Sequence, residues 1–149
     1  MRYGWTLDTT CWERLQKIVA RCNWHRVPFS PLEKNEIPNS YGVYVFCAKP
    51  PNSRELEADD LLKNLFNAVY VGQTVNLRKR FVEHWTKPMS PMRYVRDCFS
   101  GTLEFWFTIC KDQEELCLLE YVLIECLGPA ANRQNGPVIE GKVGTATPA

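Results

Sequence analysis

Three short runs of β-branched and aromatic residues constrain the fold of this chain more than any other feature. They span residues 41–47, 68–72 and 102–110, and glycine, proline or polar residues bound each of them. Such runs are typical of strands, and the weak alternation of the longest one predicts a mostly buried strand at the centre of a sheet. Apolar residues recur at helical spacing between the runs. The sequence therefore predicts an α+β fold, in which a small antiparallel or mixed sheet of three strands is flanked by helices.

The helical and proline-rich segments divide the chain into a leading extension and one domain. An amphipathic pattern predicts a helix from Asp8 to about Cys22, and three prolines between residues 27 and 40 predict an extended connection behind it. The predicted units are an N-terminal helix with its proline-rich connection over 1–37, a single domain over 38–135 with an acidic insert at about 49–67, and a loose tail over 136–149.

The seven cysteines form an odd set with no C-x-x-C pair and no regular spacing. This pattern predicts neither a disulfide framework nor a zinc site, and we expect most of them to be small buried residues in a reducing compartment. The sequence contains no secretory signal and no apolar stretch long enough to span a membrane. We therefore expect a cytoplasmic protein without a membrane partner.

Charge is nearly balanced over the whole chain but unevenly placed along it. Eighteen Lys and Arg against seventeen Asp and Glu give a net charge of +1. This excludes a protein that binds nucleic acid through a surface that is cationic throughout. A predicted helix beginning near Thr74 and the segment after it carry a local excess of positive charge, while the insert is acidic. The cations are Arg78, Lys79, Arg80, Lys87, Arg93 and Arg96. This patch favours phosphate binding, and a solvated helix face is the alternative.

Two helical positions suggest chemistry. Glu120 lies in a helix pattern over 116–127 that is apolar almost all round, so an ionised carboxylate there needs a cation such as an Arg or a metal. The alternative is a surface Glu paired with an Arg. Arg80 and His84 are four positions apart on one helix face. Arginine offers a planar fork to phosphate oxygens, and histidine can hold a water or pass a proton.

Two predicted strands each carry a tyrosine and a glycine. Gly42-Val-Tyr44 lies in the first strand and Tyr70-Val-Gly72 in the second, which we expect to be its neighbour. Buried tyrosines usually serve packing, but a glycine lets a backbone or a ligand approach closely. The pattern predicts two phenols that face a ligand beside the basic helix.

The order of these motifs resembles the GIY-YIG nuclease family over about residues 38–135. The two tripeptides resemble the motifs that name the family, and Arg80 follows Tyr70 by ten positions, as the catalytic arginine does. His84 occupies a position often held by His or Tyr. Glu120 resembles the metal-binding glutamate, and Asn132, twelve positions later, resembles the asparagine of the closing segment.

The resemblance implies a Mg²⁺-dependent DNA endonuclease, with Mn²⁺ as an alternative ion, that uses one metal and a tyrosine general base. It implies Glu120 as the metal ligand, and the implied catalytic residues are Tyr44, Tyr70, Arg80, His84 and Asn132. Tyr44 is our choice of base, which needs a nearby cation because a phenol has a pKa near 10. Gln73 stands where some members have lysine, so Arg80, Arg78 or the metal must supply that charge. The expected DNA contacts are Gln73, Arg78, Lys79, Lys87, Arg93 and Arg96.

The resemblance also suggests a biological setting. We expect a stand-alone nuclease of the restriction, phage-defence or mobile-element kind, with RNA left open as a second substrate. Cleavage of both strands from one active site suggests a homodimer or a larger defence or repair assembly. Two alternatives belong to other classes. One is a catalytically silent nucleic-acid-binding module or assembly subunit, and the other is an adaptor that uses the tryptophan-rich N-terminal helix.

Overall fold

A computed structural model describes residues 9–49, 61, 67–87, 90–99, 101–129 and 132. The helices are α1 (Thr9–Ala20), α2 (Leu77–Thr86), α3 (Pro91–Cys98) and α4 (Gln113–Leu127), and the strands are β1 (His25–Pro28), β2 (Gly42–Lys49), β3 (Ala68–Thr74) and β4 (Thr102–Ile109). A 3-10 turn, Pro31–Glu36, precedes β2. The predicted tail lies outside the described residues. So does the predicted insert, except for its two ends, Lys49 and Asn67, and a buried Leu61.

The strands form one antiparallel sheet in the order β1-β4-β2-β3. This confirms the predicted α+β class and the inner position of β4, but the predicted number of strands was wrong. The fourth strand, β1, lies within the segment predicted as helix and connection. Its four residues end in Pro28, and a proline-terminated run this short has no visible strand pattern. An edge strand tolerates proline because one side of its backbone needs no partner in the sheet.

Helices cover both faces of the sheet. On one face, β-strand side chains including Val45 and Trp106 pack in a core with residues of α1 and α4. On the other face, Tyr44 and Phe46 pack in a second core with residues of α2 and α3. Because side chains alternate along a strand, neighbouring residues of β2 belong to different cores. This alternation directs Tyr44 toward the cationic helix α2.

Local capping fixes the start and end of the helices that carry the charged candidates. The Asn76 side chain accepts a hydrogen bond from the Lys79 N–H at the start of α2. Asp112 Oδ1 accepts one from the Glu115 N–H at 2.8 Å, and Gly128 ends α4 with a φ of 55°. A positive φ of this kind favours glycine at a helix C-terminus. Packing of Leu116, Leu119 and Leu123 of α4 in the core fixes which face of the helix carries Glu120.

The N-terminal helix α1 packs beside α4, and Cys11 forms a disulfide with Cys126. The cysteine spacing predicted no such pair, and this prediction was wrong for these two residues. They are 115 positions apart in sequence, yet their Cα atoms lie 5.7 Å apart because the two helices are neighbours in the fold. Cys47 and Cys110 are buried, but Cys22 is only partly buried and Cys117 is exposed, so the expectation that most cysteines are buried was wrong for the described residues. In the described part of the chain, none of the helices is long and apolar enough to cross a membrane.

Candidate active site

Tyr44 forms the centre of the candidate site, and β3 makes room for it. Tyr44 is fully buried and lies opposite Gly72 in the β2–β3 register. A Cβ atom at Gly72 would overlap the phenol ring of Tyr44, and one at Gly42 would overlap Leu77 and the Thr108 carbonyl oxygen. The two glycines were expected to admit a ligand. In the structure, they accommodate protein atoms, and Gly72 specifically accommodates the Tyr44 phenol.

Tyr70 lies on the same face of the sheet as Tyr44, which confirms that the two phenols face one region. Their ring centroids are 6.1 Å apart, and the His84 ring lies 5.3–5.4 Å from both. Burial raises the pKa of Tyr44 well above its usual range, Tyr70 adds to this effect, and Arg80 opposes it. Burial also raises the pKa of Tyr70, again opposed by Arg80. Both phenols are therefore neutral in the protein alone.

His84 connects Tyr44 to a residue that the sequence did not single out. Its Nε2 atom lies 2.8 Å from Tyr44 Oη, and its Nδ1 atom lies 2.6 Å from Ser90 Oγ. The side chain is buried, and burial together with the Arg80 charge lowers the pKa of His84 to about 3. The imidazole is therefore uncharged at neutral pH. His84 faces the phenols and does not add a second positive charge beside Arg80.

Arg80 is the cation of the site. Its Nη1 atom donates to Glu83 Oε1 at 3.1 Å, which holds one end of the guanidinium. Its Nε atom is buried and has no hydrogen-bond partner among the described residues. The charge of Arg80 influences the pKa of both phenols, of His84 and of Glu120. Arg80 therefore places one positive charge beside two neutral phenols and a neutral imidazole.

Glu120 is held by Gln73, which was expected to contact DNA. Gln73 Nε2 donates to Glu120 Oε1 at 2.8 Å across the gap between β3 and α4. Burial raises the pKa of the Glu120 carboxyl, while the Gln73 hydrogen bond and Arg80 lower it. Arg80 is the described cation whose charge acts on this carboxyl, and Gln73 is its hydrogen-bond donor. One carboxylate oxygen is therefore fixed, and the other is the one available to a ligand.

Asn132 fixes the strand that carries Tyr70 and Gly72. Its Oδ1 atom accepts from the Val71 N–H, and its Nδ2 atom donates to the Val71 carbonyl oxygen, each at 2.8 Å. Because β3 is at the edge of the sheet, these bonds serve a backbone segment that has a neighbouring strand on one side only. Asn132 thus acts on the site through the backbone of Val71, which lies between the site residues Tyr70 and Gly72.

Some of the predicted DNA-contact residues are held by contacts within the protein, and others are exposed to solvent. Arg78 Nε donates to the Ile37 carbonyl oxygen at 2.7 Å, and the Arg96 guanidinium lies 4.2 Å from the centre of the Trp85 ring. Both are thus engaged by the protein. Lys79 and Lys87 are exposed, although Lys87 Nζ lies 4.0 Å from Glu83 Oε2. The Arg93 side chain lies outside the described part of the structure.

Ser90 is the site residue that sequence reasoning missed. Its Oγ atom accepts from the Met92 N–H at 3.2 Å and caps α3. The Ser90-Pro91 pair is a helix-start signal that the sequence does display. The contact with His84, six positions earlier, depends on the path of the chain between α2 and α3, for which the sequence has no local signal.

Comparison with known proteins gives a fold-level likeness. No protein-family model matches the chain, and no curated protein matches it. Two solved structures resemble it, both from UvrC of Thermotoga maritima. Both are GIY-YIG endonuclease domains. They are 17% and 16% identical to this chain, with a TM-score of 0.48 for each, and the matches cover 67% and 69% of this chain and 90% and 97% of theirs. Both are point mutants bound to a catalytic divalent cation.

Proposed function

We propose that this protein is a GIY-YIG nuclease that hydrolyses phosphodiester bonds in DNA. The convergence of two phenols, a neutral imidazole, a guanidinium and a carboxylate in one electrostatically coupled group supports this proposal. These side chains come from β2, β3, α2 and α4, which the fold brings together. Phosphodiester hydrolysis needs stabilisation of negative charge on the phosphate and a group that removes a proton from water.

Arg80 is the proposed phosphate clamp. The Arg80 side chain is partly exposed, so its guanidinium can donate a hydrogen bond to a non-bridging phosphate oxygen. Charge-assisted hydrogen bonds of this type are stronger than neutral ones, and they strengthen further as charge accumulates on the phosphate. Glu83 holds the other side of the guanidinium, so the clamp is partly positioned before substrate arrives.

Glu120 is the proposed ligand for a divalent cation, with Mg²⁺ as the expected ion and Mn²⁺ as an alternative. No group of three or more His, Cys, Asp or Glu side chains able to hold a metal occurs among the described residues. This donor set does not suit zinc, but it fits Mg²⁺, which keeps several waters and binds through one or two carboxylates plus substrate phosphate. The ion would neutralise charge on the phosphate. The hydrogen bond from Gln73 holds the Glu120 carboxylate in position for metal binding.

Tyr44 is the proposed general base, positioned by His84 and Tyr70. Its buried phenol resists ionisation. Tyr44 can still accept a proton from water if its own hydroxyl proton moves to His84 Nε2 at the same time, because the two atoms are 2.8 Å apart. The phenol then stays neutral, and the proton resides on the imidazole. Asn132 holds β3, and through it Tyr70, in place.

A cleavage assay tests the proposal. Supercoiled plasmid and branched DNA are incubated with Mg²⁺, with EDTA, and with Mg²⁺ plus the Glu120→Gln variant. We expect cleavage only by the wild-type protein with Mg²⁺, and a loss of about 100-fold or more in the variant. Glu125→Gln, on an exposed position of the same helix, is the matched control and should cut like the wild type. Equal cleavage under all conditions would contradict the one-metal mechanism. Intact binding without cleavage of any DNA would favour the catalytically silent module.

A further inference from the structure

Ser90 and His84 share a hydrogen bond whose direction has a chemical consequence. A neutral imidazole has one N–H donor and one acceptor nitrogen, so its two neighbours must differ in role. On one side is the phenol of Tyr44, on the other the hydroxyl of Ser90. The tautomer is assigned from these partners.

The partners favour a proton on Nδ1. Tyr44 is fully buried, and His84 Nε2 is the acceptor that lies within hydrogen-bond distance of its hydroxyl group. Ser90 is only partly buried, so its own hydroxyl hydrogen can reach solvent while its oxygen accepts from within the protein. That oxygen already accepts from the Met92 N–H, and it has a second lone pair for His84 Nδ1–H at 2.6 Å. This arrangement gives each donor in the hydrogen-bonded series Tyr44–His84–Ser90–Met92 an acceptor.

We propose that Ser90 is a positioning residue that holds His84 in the Nδ1–H tautomer and thereby keeps Nε2 free to accept the Tyr44 hydroxyl proton. The expected effect on kcat rests on the proposed function. The tautomer of His84 does not, because it is a property of the DNA-free protein. A histidine held in the wrong tautomer leaves a site geometrically intact and chemically poor. Ser90 is the N-cap residue of α3, so the helix cap and the orientation of the imidazole depend on one hydroxyl group.

The charged and titratable groups that face His84 come from three elements. They are Tyr44 from β2, Tyr70 from β3 and Arg80 from its own helix. Glu120 from α4 reaches the same group through its influence on the pKa of both phenols. A carboxylate introduced at position 90 would place a negative charge next to His84 Nδ1, where the structure has the uncharged Ser90 hydroxyl group.

Three substitutions change the Ser90 hydroxyl group in different ways, and the tautomer of His84 distinguishes its hydrogen bond from the helix cap. Ser90→Ala removes both. Ser90→Thr keeps the hydroxyl oxygen and the cap. Ser90→Asp keeps the cap and an acceptor for Nδ1–H, but adds a negative charge that favours the protonated imidazole. The imidazole ¹⁵N chemical shifts of His84, measured in the DNA-free protein, report the tautomer directly. The kcat and its pH dependence report the consequence.

We expect the Nδ1–H tautomer in the wild type and in Ser90→Thr, and a shift toward Nε2–H in Ser90→Ala. With cleavage measured, Ser90→Ala should lower kcat roughly 10- to 100-fold with little change in KM, and Ser90→Thr should restore it. Ser90→Asp should move the acidic limb of the pH profile to higher pH, because the imidazole must be neutral to accept the proton.

Unchanged ¹⁵N shifts in Ser90→Ala would overturn the proposal, as would a failure of Ser90→Thr to restore kcat. A capping role alone predicts that Ser90→Asp behaves like the wild type at every pH, and this outcome would also overturn it. If the wild-type protein cleaves no DNA, the proposed function fails, whereas the NMR measurement still decides the role of Ser90.

Discussion

The burial of His84 gives the stability of the protein a specific pH dependence. Its pKa is about 3 in the folded protein, because of burial and the Arg80 charge, against an ordinary value of 6.5 in the unfolded chain. Between these values the unfolded state binds a proton that the folded state does not, so stability falls as pH decreases below about 6.5. We expect a contribution of roughly 1 kcal/mol per pH unit over pH 6 to 4. Urea unfolding at several pH values measures it.

The His84→Gln variant is the control for that titration, because glutamine is uncharged throughout and carries both a donor and an acceptor. Carboxylates that titrate in the same range affect the wild type and the variant alike. The difference between the two unfolding free energies therefore isolates His84. This difference should change steadily between pH 6 and pH 4. A constant difference would mean that His84 is readily protonated in the folded protein.

Gly72 leaves the space that Tyr44 occupies, and an alanine there should harm the site more than the fold. The new Cβ would overlap the phenol ring, so Tyr44 must move or β3 must shift. Overpacking of this kind costs about 1–3 kcal/mol. Gly42→Ala is the matched control, because its Cβ would overlap Leu77 and a β4 carbonyl and not the phenol.

Both glycine variants should lose stability in thermal unfolding, but we expect Gly72→Ala to lose a much larger share of its cleavage rate when the two are compared at a temperature where both are folded. Equal rate losses would show that the space beside the phenol has no specific role.

The identity of most candidate side chains could be predicted from the sequence, but several of their partners could not. Tyr44, Tyr70, Arg80, His84, Glu120 and Asn132 were chosen from motif order and spacing. The hydrogen bond between Gln73 and Glu120 could not be predicted, because it joins β3 to α4 over 47 positions of sequence. Ser90 was missed because nothing in the local pattern shows that α3 begins beside His84. Contacts between polar side chains that are far apart in sequence leave no local pattern from which they could be predicted.

The edge strand β3 depends on one side chain for the backbone groups of Val71. Asn132 bonds to both the N–H and the carbonyl oxygen of this residue, which is itself buried. Asn132→Ala should leave both groups unpaired and cost about 1–3 kcal/mol. Asn132→Asp keeps an acceptor for the Val71 N–H but loses the donor to the carbonyl. Amide hydrogen exchange at Val71 should therefore accelerate strongly in the alanine variant and only weakly in the aspartate variant.

If Val71 exchanges at the same rate in Asn132→Ala as in the wild type, the side chain does not hold the edge strand. Loss of cleavage in that variant would then need a direct role for Asn132.

Elements with a strong periodic pattern were predicted well, and elements defined by their neighbours were not. The strands β2, β3 and β4 carry β-branched and aromatic runs, and α4 carries its cap and its terminal glycine in the sequence. By contrast, β1 is a strand because β4 offers it a partner, and its own four residues include a histidine, an arginine and a proline. The Cys11–Cys126 pair likewise depends on the packing of α1 against α4.

Across the whole molecule, the net charge of +1 conceals different uses of positive charge. Arg78 supports the fold, because its guanidinium holds the carbonyl oxygens of Ile37 and Asn35 at the end of the 3-10 turn. Arg96 is held over the Trp85 ring and donates to the Trp85 carbonyl oxygen. Lys79, next to Arg78 in α2, is exposed. Neighbouring cations on the same helix should therefore contribute differently to DNA binding.

Salt dependence separates these contributions. Each phosphate contact releases counterions, so the slope of log K against log salt concentration decreases by about 1 when one contact is removed. Lys79→Ala should weaken binding to all duplex sequences alike and reduce the slope by about 1, with stability unchanged. Arg78→Ala should lower the unfolding free energy, because it leaves two backbone carbonyl oxygens without their donor, and should leave the slope close to the wild-type value. Fluorescence anisotropy with a short duplex over a range of KCl concentrations, alongside thermal unfolding, measures both. If Arg78→Ala reduces the slope and Lys79→Ala does not, DNA approaches the protein from the side of the 3-10 turn, and the exposed face of α2 is a solvated surface.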